Sequence, residues 1–338
     1  MPSAPVRRPG PTHPASVLFE DGDRAATLPV CDHYSGVESR MRKSLALQAE
    51  LGPIFDVTLD NEDGAPVGGE VEHAHLIAEL LASDANRWGR VGVRLLDATH
   101  LRFEEVAQVV LRGPRRPAYL MIPKPLGLAD IERAASIIDA MGGGDVPLHA
   151  LVETHGGLRE VFALAAHPRI ESLSFGLMDF VSAHRGAIPQ SGMGVVGQFT
   201  HPLVLRAKLE IAAACHAHAK VPSHCVVTEF KDLAALGQAA QRAARELGYT
   251  RMWSIHPDQI RPIVQAFTPS AGEVEQAVEI LLAAEAAHWA PVRHRDTLHD
   301  RASYRYFWQL LQRAHATTAG GAALPAEVKA RWFMEESV

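Results

Sequence analysis

From about residue 25 onward, the 338-residue chain alternates short apolar runs with longer amphipathic segments. Eight of the runs have the length and composition of buried strands, at residues 27–31, 54–59, 91–95, 118–122, 148–152, 172–176, 224–228 and 252–255. Helical patterns follow most of them, at residues 37–51, 70–82, 103–111, 128–141, 203–219, 232–247 and 258–267. This alternation predicts an α/β fold, a (β/α)8 TIM barrel that spans residues 25–270.

A doubly wound open sheet is the alternative architecture for the same alternation. Eight strands would be many for one open sheet. In addition, no Gly-x-Gly-x-x-Gly pattern follows any of the predicted strands. The dinucleotide-binding version of that fold therefore lacks its main support, and we favour the barrel.

The two ends of the chain differ from this repeat. Residues 1–24 begin with a proline-rich stretch, and we expect them to form a disordered tail. Residues 271–338 are rich in helix-forming residues and carry Trp332, Phe333 and Met334 near their end. They predict a C-terminal helical extension that docks on its own barrel or on a neighbouring subunit.

Composition excludes several classes of protein. The net charge of −6 argues against nucleic acids and anionic membranes as partners, which favour strongly basic surfaces. No run reaches the roughly 18 apolar residues that a membrane span needs. The three cysteines have unrelated spacings and predict no disulfide framework. With no secretory signal at the start, we expect a cytoplasmic protein.

Two carboxylates at strand ends point to a metal site. Glu153 closes one apolar strand, Asp179 closes the next, and a helical pattern at residues 157–166 separates them. Because consecutive strands of a parallel sheet end at the same edge, we expect the two carboxylates to converge there. Two oxygen ligands with room for water and substrate suit Mg²⁺. A carboxylate in such an apolar setting needs a cation or several hydrogen bonds.

Polar residues follow most of the other predicted strands as well. They are Asp60, Asn61, Glu62, Asp63, Arg94, Lys124, Thr228, Glu229 and His256. Taken alone, each has a structural interpretation as a helix cap, a loop charge, a turn residue or half of an ion pair. Acids and bases nevertheless recur at one end of the predicted sheet, which is where a barrel of this kind has its active site.

Together these segments resemble the citrate lyase β-subunit-like family, a group of CoA-ester lyases within the HpcH/HpaI aldolase superfamily. The resemblance runs from about Phe55 to Ser270. The segments that carry it are Leu59-Asp60-Asn61-Glu62-Asp63, Val93-Arg94, Ile122-Pro123-Lys124, Leu151-Val152-Glu153-Thr154, Phe175-Gly176-Leu177-Met178-Asp179 and Ile255-His256-Pro257-Asp258-Gln259-Ile260. The resemblance implies a (β/α)8 barrel, trimeric or hexameric, with Mg²⁺ at the strand ends.

The resemblance also implies roles for individual residues. Glu153 and Asp179 would be the metal ligands. Arg94 would bind the carboxylate and carbonyl of a 2-oxo acid, and would therefore be both catalytic and substrate-binding. Backbone N–H groups beside Gly176 would hold the other end of that acid, and Lys124 would add a positive charge near the pocket.

Three acidic residues complete the implied site. Glu62 and Asp63 would hold metal-bound waters or orient Arg94. Asp300 lies in His299-Asp300-Arg301-Ala302, at a place comparable to an aspartate that enters the neighbouring active site in longer family members. It would then be catalytic, and the alternative is that it caps the helix that follows.

Three departures from the family pattern indicate a divergent subgroup. The first strand of the family carries Arg-Ser-x-Leu-Phe-Val-Pro-Gly, which helps to bind the CoA ester, whereas this chain has Leu-Pro-Val-Cys-Asp-His-Tyr-Ser-Gly at residues 28–36. Met178 replaces an acidic residue common just before the metal-binding aspartate. Ser-His-Cys at residues 223–225 replaces an acidic, glycine-containing pattern.

These observations lead to three functional hypotheses. In the first, a Mg²⁺-dependent carbon–carbon lyase cleaves a 3-hydroxyacyl-CoA ester of the citryl, malyl or citramalyl type to a 2-oxo acid and an acyl-CoA by retro-Claisen chemistry. In the second, a metal-dependent aldolase cleaves a 4-hydroxy-2-oxo acid to pyruvate and an aldehyde. In the third, the barrel is catalytically inactive and serves as a binding subunit. Retention of the acidic and basic set argues against the third.

Overall fold

The computed structural model describes residues 13–20, 26–317 and 324–334. Among them, eight parallel strands follow one another around a closed barrel, and the last pairs with the first. The barrel strands are β1 Cys31–Ser35, β2 Phe55–Asp60, β3 Val91–Arg94, β4 Leu120–Ile122, β5 Leu148–Val152, β6 Ile170–Phe175, β7 Val221–His224 and β8 Arg251–Ser254. The predicted (β/α)8 barrel is confirmed, and the open sheet was the wrong alternative.

Helices connect these strands and continue beyond them. They are α1 Pro14–Leu18, α2 Glu38–Leu51, α3 Glu70–Ala82, α4 Phe103–Arg112, α5 Leu128–Ala140, α6 His155–Arg159, α7 Val161–Ala166, α8 Leu177–Ser182, α9 Pro202–Ala217, α10 Leu233–Arg245, α11 Pro257–Phe267, α12 Ala271–Ala286, α13 Arg301–Thr317 and α14 Ala326–Trp332. Two 3₁₀ helices, Gln190–Met193 and Gly197–Phe199, lie between α8 and α9. The chain divides into two compact units, a barrel unit, Leu28–Phe267, and a helical unit drawn from Met1–Thr27 and Thr268–Val338.

The main core of the barrel unit lies between the strands and their helices. Helix α4 illustrates why the sequence folds this way, because its buried residues Phe103, Val106, Ala107, Val110 and Leu111 recur at helical spacing. They belong to one continuous cluster with outward-facing residues of the strands. This shell holds the strand ends, and thus the site, in fixed positions.

Two strands lie elsewhere than the apolar pattern predicts. β1 begins at Cys31, where the predicted strand ends, and β7 ends at His224, where the predicted strand begins. β1 carries Asp32 and His33, both buried. His33 Nδ1 lies 2.7 Å from Ser254 Oγ on β8. Apolarity does not mark β1, because Asp32 and His33 are polar side chains that find partners inside the protein.

The amino-terminal end of the barrel interior is filled by ion pairs. Arg251 Nη1 donates to Asp56 Oδ2 at 2.6 Å, and Nη2 lies 3.1 Å from Asp32 Oδ2. Arg90, just before β3, makes a two-pronged contact with Asp56 at 2.7 and 3.0 Å. These charges lie at the opposite end of the strands from the predicted site, the end that serves stability rather than catalysis in this fold.

The helical unit has a core of its own, with Trp308, Leu311 and Val328 among its buried residues. Helix α12 starts with a capping box between Ser270 and Glu273. A short hairpin of β9, Val292–His294, and β10, Thr297–His299, lies between α12 and α13 and was not predicted. The predicted helical extension at residues 271–338 thus contains helices α12, α13 and α14 together with this hairpin.

Residues 1–12 and 21–24 of the predicted disordered tail, residues 1–24, lie outside the described part of the chain. The described residues 13–20 of this segment contain helix α1, which packs on α13, and Arg305 Nε donates to Leu18 O at 2.8 Å. No helix in the described ranges is both long enough and apolar enough to cross a membrane.

Candidate active site

The carboxyl ends of five strands and their loops bring together most of the predicted site residues. Asp60 ends β2 and Arg94 ends β3, and the two are partners in the strand pairing. Lys124 follows β4, Glu153 follows β5, and Asp179 lies in the first turn of α8 after β6. This is the end of the barrel where TIM-barrel active sites form.

Arg94 is buried and surrounded by carboxylates. Its Nε and Nη2 lie 2.6 and 3.0 Å from the two oxygens of Asp60, in a fork-to-fork contact. Nη1 lies 3.1 Å from Glu62 Oε2, and Nη2 lies 2.9 Å from Asp63 Oδ2. Burial disfavours the charged form, but the contacts with Asp60 outweigh it and hold the pKa of Arg94 well above its usual value. The guanidinium is therefore a permanent cation with a fixed orientation.

Asp60 is the anchor of this arrangement. Its carboxylate is buried and accepts hydrogen bonds from Arg94, the Tyr34 hydroxyl, and the backbone N–H groups of Glu62 and Gly64. Burial alone would raise the pKa of Asp60, but the hydrogen bonds and charge of Arg94 lower it below the usual value. Asp60 thus stays ionised and fixes the acidic loop, residues 61–64 after β2, a role that the sequence pattern did not separate from helix capping.

Lys124 connects the acidic loop to the predicted metal ligands. Its φ of 51° is unusual for a side chain other than glycine, and its backbone N–H donates to Glu153 Oε1 at 3.1 Å. Its Nζ contacts the Glu62 carboxylate and lies 3.7 Å from Asp63 Oδ1 and 4.0 Å from Asp179 Oδ1. Burial opposes the charge, but Glu62 and its neighbours raise the pKa of Lys124 above the usual value.

Glu153 is a buried carboxyl in a setting that disfavours its charge. Burial, followed by the charge of Asp179, raises the pKa of Glu153 to about 8. The cationic groups Arg94 and Lys124 act in the opposite direction but do not compensate. A further cation beside this carboxyl would stabilise its ionised form.

Gly176 leaves the space that Glu153 occupies. A Cβ at residue 176 would lie 2.1 Å from Glu153 Oε2 and 2.6 Å from Glu153 Cβ. The Gly176 N–H itself donates to Val152 O at 3.1 Å in the sheet. The amides beside it, those of Leu177 and Met178, lie in the first turn of α8, where N–H groups have no intrahelical acceptor. Those two amides are therefore the groups that would make the predicted substrate contact near Gly176, and this contact stays a prediction.

We expect Gly176→Ala to displace Glu153 and to weaken Mg²⁺ binding by at least about tenfold, since misplacing a supporting group costs roughly 10–100-fold in metal affinity. The measurement is a calorimetric Mg²⁺ titration of the folded variant. Gly237→Ala is the matched control, because a Cβ there meets nothing within 4 Å and Gly237 lies inside helix α10. That control should bind Mg²⁺ normally and gain about 1 kcal/mol of stability. Equal affinities in both variants would contradict the role given to Gly176.

The charges of this cluster fit a divalent cation. Asp60, Glu62, Asp63, Glu153 and Asp179 provide five carboxyl groups against the two cations Arg94 and Lys124. In the part of the chain that the structure describes, no three His, Cys, Asp or Glu side chains are grouped as a complete metal site. Mg²⁺ keeps several waters and needs only one or two protein carboxylates. Glu153 and Asp179 therefore fit Mg²⁺ better than a metal that demands a full set of protein ligands.

Asp300 and Tyr34 lie in different parts of the chain. Asp300 belongs to the helical unit, where its Oδ1 accepts from the N–H groups of Ala302 at 3.0 Å and Ser303 at 3.3 Å, as a helix cap does. The cap is thus formed, and the catalytic role of Asp300 stays a prediction. Tyr34 on β1 contacts both Asp60 and Arg94 and was missed, because the apolar pattern placed the first strand before it.

Comparison with known proteins identifies relatives over most of the chain, although no protein-family model matches it. A crystal structure described as a citrate lyase from Burkholderia xenovorans is 53% identical, with a TM-score of 0.82, and the match covers 95% of this chain and 100% of that one. A structure of a Mycobacterium tuberculosis protein related to the citrate lyase β subunit, in complex with magnesium, acetoacetate and coenzyme A, is 20% identical with a TM-score of 0.66. That match covers 86% of this chain and 98% of the other and reflects the fold.

Among curated proteins, an L-malyl-CoA/β-methylmalyl-CoA lyase from Rhodobacter capsulatus is 28% identical over 253 residues, which cover 68% of this chain and 77% of the relative. A (3S)-malyl-CoA thioesterase from Cereibacter sphaeroides is 29% identical over 248 residues, 72% of this chain and 80% of the relative. The 53% identity over the whole of a citrate lyase chain, with the barrel and the acidic strand ends described above, decides the family. The chain belongs to the citrate lyase β-subunit-like family of CoA-ester lyases, which are carbon–carbon lyases.

Proposed function

We propose that this protein is a Mg²⁺-dependent lyase that cleaves a 3-hydroxyacyl-CoA ester with a carboxylate beside the hydroxyl, of the malyl, citramalyl or citryl type. The products would be a 2-oxo acid and an acyl-CoA. The observation that carries the proposal is the fixed Arg94 near two carboxyl groups, Glu153 and Asp179, where burial and the charge of Asp179 raise the pKa of Glu153 to about 8. Matching relatives act on malyl-CoA, which supports a thioester substrate.

Glu153 and Asp179 would hold the Mg²⁺. When bound, the metal supplies a Lewis acid that lowers the cost of negative charge on the hydroxyl, carbonyl and carboxylate oxygens of the substrate. A relative that shares this fold binds magnesium together with acetoacetate and coenzyme A, which supports the assignment. Lys124 keeps Glu153 in place through its backbone N–H and lies next to Asp179.

Arg94 would act on the charge that develops during cleavage. A general base accepts the hydroxyl proton, and the carbon–carbon bond then breaks, so that the former alcohol carbon becomes the carbonyl carbon of a 2-oxo acid. The electron pair passes to the carbon beside the thioester, which becomes an enolate and then takes up a proton. Because Arg94 is held in one orientation, it needs no reorganisation to stabilise the negative charge on the former hydroxyl oxygen. Asp300 of a neighbouring subunit is our candidate for the proton donor.

The aldolase alternative uses the same metal site on another substrate. It would form its enolate on pyruvate and would need no CoA. The curated relatives described above act on CoA esters, which favours the thioester substrate. Residues 28–36 differ from the first-strand motif that helps to bind the CoA ester in the family, so this protein would recognise CoA through other residues.

The experiment that tests the proposed function separates three outcomes in one assay. Purified protein with Mg²⁺ is given malyl-CoA, citramalyl-CoA or 4-hydroxy-2-oxoglutarate, and both 2-oxo acid and free CoA are measured. A lyase releases 2-oxo acid and acyl-CoA without free CoA, whereas a thioesterase, the activity of one relative, releases free CoA. Chelation by EDTA should stop the lyase reaction. Cleavage of the CoA-free acid alone would replace our proposal with the aldolase.

We further propose that the protein is a cytoplasmic homo-oligomer, a trimer or hexamer, with CoA esters and 2-oxo acids as its small-molecule partners. All three cysteines are free and buried, which suits a reducing compartment. On the helical unit, Leu298 of β10 and Tyr306 of α13 are exposed apolar groups close to Asp300 in sequence. Such groups suit a surface that meets another subunit.

Mixed oligomers test whether Asp300 acts in a neighbouring site. Asp300→Ala and Glu153→Ala subunits, each inactive alone, are co-expressed with different affinity tags and purified through both. In a shared site, some barrels with an intact Glu153 receive an intact Asp300 from the neighbour. About a third of wild-type activity should return in a mixed trimer, which then has one complete site of three, and about a quarter in a randomly mixed hexamer.

The control for this experiment is a mixture of Glu153→Ala with Asp179→Ala, which impairs the same barrel in both subunits. It should stay inactive. If the Asp300 mixture is equally inactive although mixed oligomers form, Asp300 does not act across subunits. Activity in Asp300→Ala alone would remove it from the catalytic set altogether.

A further inference from the structure

Tyr34 contacts the cationic centre of the proposed site through its hydroxyl. The hydroxyl donates a short hydrogen bond to Asp60 Oδ2 and accepts one from Arg94 Nη2 at 3.2 Å. Burial, followed by the charge of Asp60, raises the pKa of Tyr34 above its usual value. The hydroxyl therefore keeps its proton and acts as a donor to Asp60.

The ring of Tyr34 makes two further contacts on its faces. The Arg94 guanidinium carbon lies 5.1 Å from the centre of the Tyr34 ring, within the range of a cation–π interaction. Trp253 of β8 is stacked with Tyr34, with ring centres 6.0 Å apart and an angle of 12° between the planes. Tyr34 also packs on an apolar cluster that contains Met121 and Leu151. Trp253 and this apolar cluster thus hold the Tyr34 ring in place, and the ring faces Arg94.

The backbone after Tyr34 is locked to the acidic loop independently of the hydroxyl. A Cβ on Gly64 would lie 2.6 Å from both Cα and O of Gly36, and a Cβ on Gly36 would lie 3.2 Å from the Tyr34 hydroxyl. Two glycines therefore allow the loop after β1 to lie directly on the loop after β2. Removal of the hydroxyl should leave this contact intact.

We propose that Tyr34 is a positioning residue, which sets the orientation of Arg94 for the 2-oxo acid through the Asp60 carboxylate and its own ring. This rests on the proposed function of the same site. Arg94 offers five N–H donors, and its Nη2 has three acceptors in Asp60, Asp63 and Tyr34. Without the hydroxyl, Nη2 can turn fully toward Asp63. The N–H donors of Arg94 that face the substrate would then no longer have one fixed direction.

Tyr34→Phe removes only the hydroxyl and is the main test. The probe is oxalate, a stable analogue of a 2-oxo acid, titrated calorimetrically into Mg²⁺-loaded protein. We expect oxalate affinity to fall about tenfold, as the loss of one charge-assisted hydrogen bond implies. Mg²⁺ affinity without oxalate should change less than about twofold, since no described contact joins Tyr34 to Glu153 or Asp179. Tyr34→Leu, which also removes the ring, should lose more oxalate affinity than Tyr34→Phe.

A double-mutant cycle with Arg94→Lys decides whether Tyr34 acts through Arg94. If it does, adding Tyr34→Phe to Arg94→Lys should change oxalate affinity by less than about twofold. Fully additive losses in the cycle would overturn the proposal, as would wild-type oxalate affinity in Tyr34→Phe. Oxalate binding needs no cleavage, so a protein that binds oxalate in a Tyr34-dependent way but cleaves no CoA ester contradicts only the proposed function.

A second readout needs no ligand at all. The Nε–H of Arg94 donates to Asp60 in a buried contact, so in ¹⁵N-arginine-labelled protein it should exchange slowly with water. We expect Tyr34→Phe to speed that exchange by about tenfold while the melting temperature falls by only a few degrees. An unchanged exchange rate would overturn the proposal even if the protein proved not to bind oxalate.

Discussion

Glu153→Gln should abolish the stabilisation that Mg²⁺ gives this protein and should lower kcat by roughly 10²–10³-fold, the range for removal of a group that serves the transition state electrostatically. The substitution keeps the shape of the side chain and removes its charge. In the absence of metal the variant should be at least as stable as wild type, because burial already disfavours the charge on Glu153 and raises its pKa to about 8. The loss is therefore specific to the metal-bound state.

Thermal unfolding with and without Mg²⁺ measures this effect. Wild type should melt at a higher temperature as Mg²⁺ is added, because a ligand bound only by the folded state stabilises it. Glu153→Gln and Asp179→Asn should show no such rise. Glu171→Gln is the matched control, since Glu171 also lies in a barrel strand but pairs with His149, 2.9 Å away. A normal Mg²⁺ response in Glu153→Gln would remove Glu153 from the metal site.

Arg94→Lys should lower kcat/KM by about 10²–10³-fold although it keeps the positive charge. Lysine cannot reproduce the fork that meets both oxygens of Asp60 at 2.6 and 3.0 Å, nor can it contact Glu62 and Asp63 at the same time. The buried carboxylate of Asp60 then keeps fewer of its hydrogen bonds. We expect a loss of stability of about 1–3 kcal/mol to accompany the loss of activity.

Arg90→Lys separates these two consequences. Arg90 makes the same two-pronged contact with Asp56, at 2.7 and 3.0 Å, but at the opposite end of β3. Its replacement should also reduce stability, yet kcat/KM should change by less than about threefold, as is usual for changes away from the chemistry. Steady-state kinetics and urea unfolding of both variants provide the comparison. Equal losses of activity would mean that Arg94 acts only through the stability of the barrel.

The strand-and-helix repeat was sufficient to predict the barrel, because strands buried on both faces are apolar and their crossover helices are amphipathic. The positions predicted for β1 and β7 were wrong because parts of these strands are polar although they are buried. Asp32, His33 and Ser223 are buried polar residues, which an apolar pattern leaves out. The hairpin of β9 and β10 was missed because its residues are half-exposed or exposed except for His299.

The site was predictable where strand ends carry a charged residue that apolar neighbours make conspicuous. Glu153 and Arg94 stand out in this way, and β2 likewise ends in Asp60. The role of Asp60 was not predictable, since its importance comes from pairing with Arg94 across two strands, 34 positions apart in sequence. Tyr34 depends on contacts with β2, β3 and β8 together, which no local pattern contains. The position of Gly176 against Glu153 likewise needs the register of β5 and β6.

The central claim is that Glu153 and Asp179 hold a Mg²⁺ ion that, with Arg94, binds a 2-oxo acid. A crystal structure of the protein soaked with Mg²⁺ and oxaloacetate tests it most directly. We predict a metal within about 2.1 Å of one oxygen from each carboxylate, as Mg²⁺ requires, and oxaloacetate oxygens that contact both the metal and Arg94. A metal bound elsewhere, or oxaloacetate bound without contact to Glu153, Asp179 or Arg94, would contradict the account.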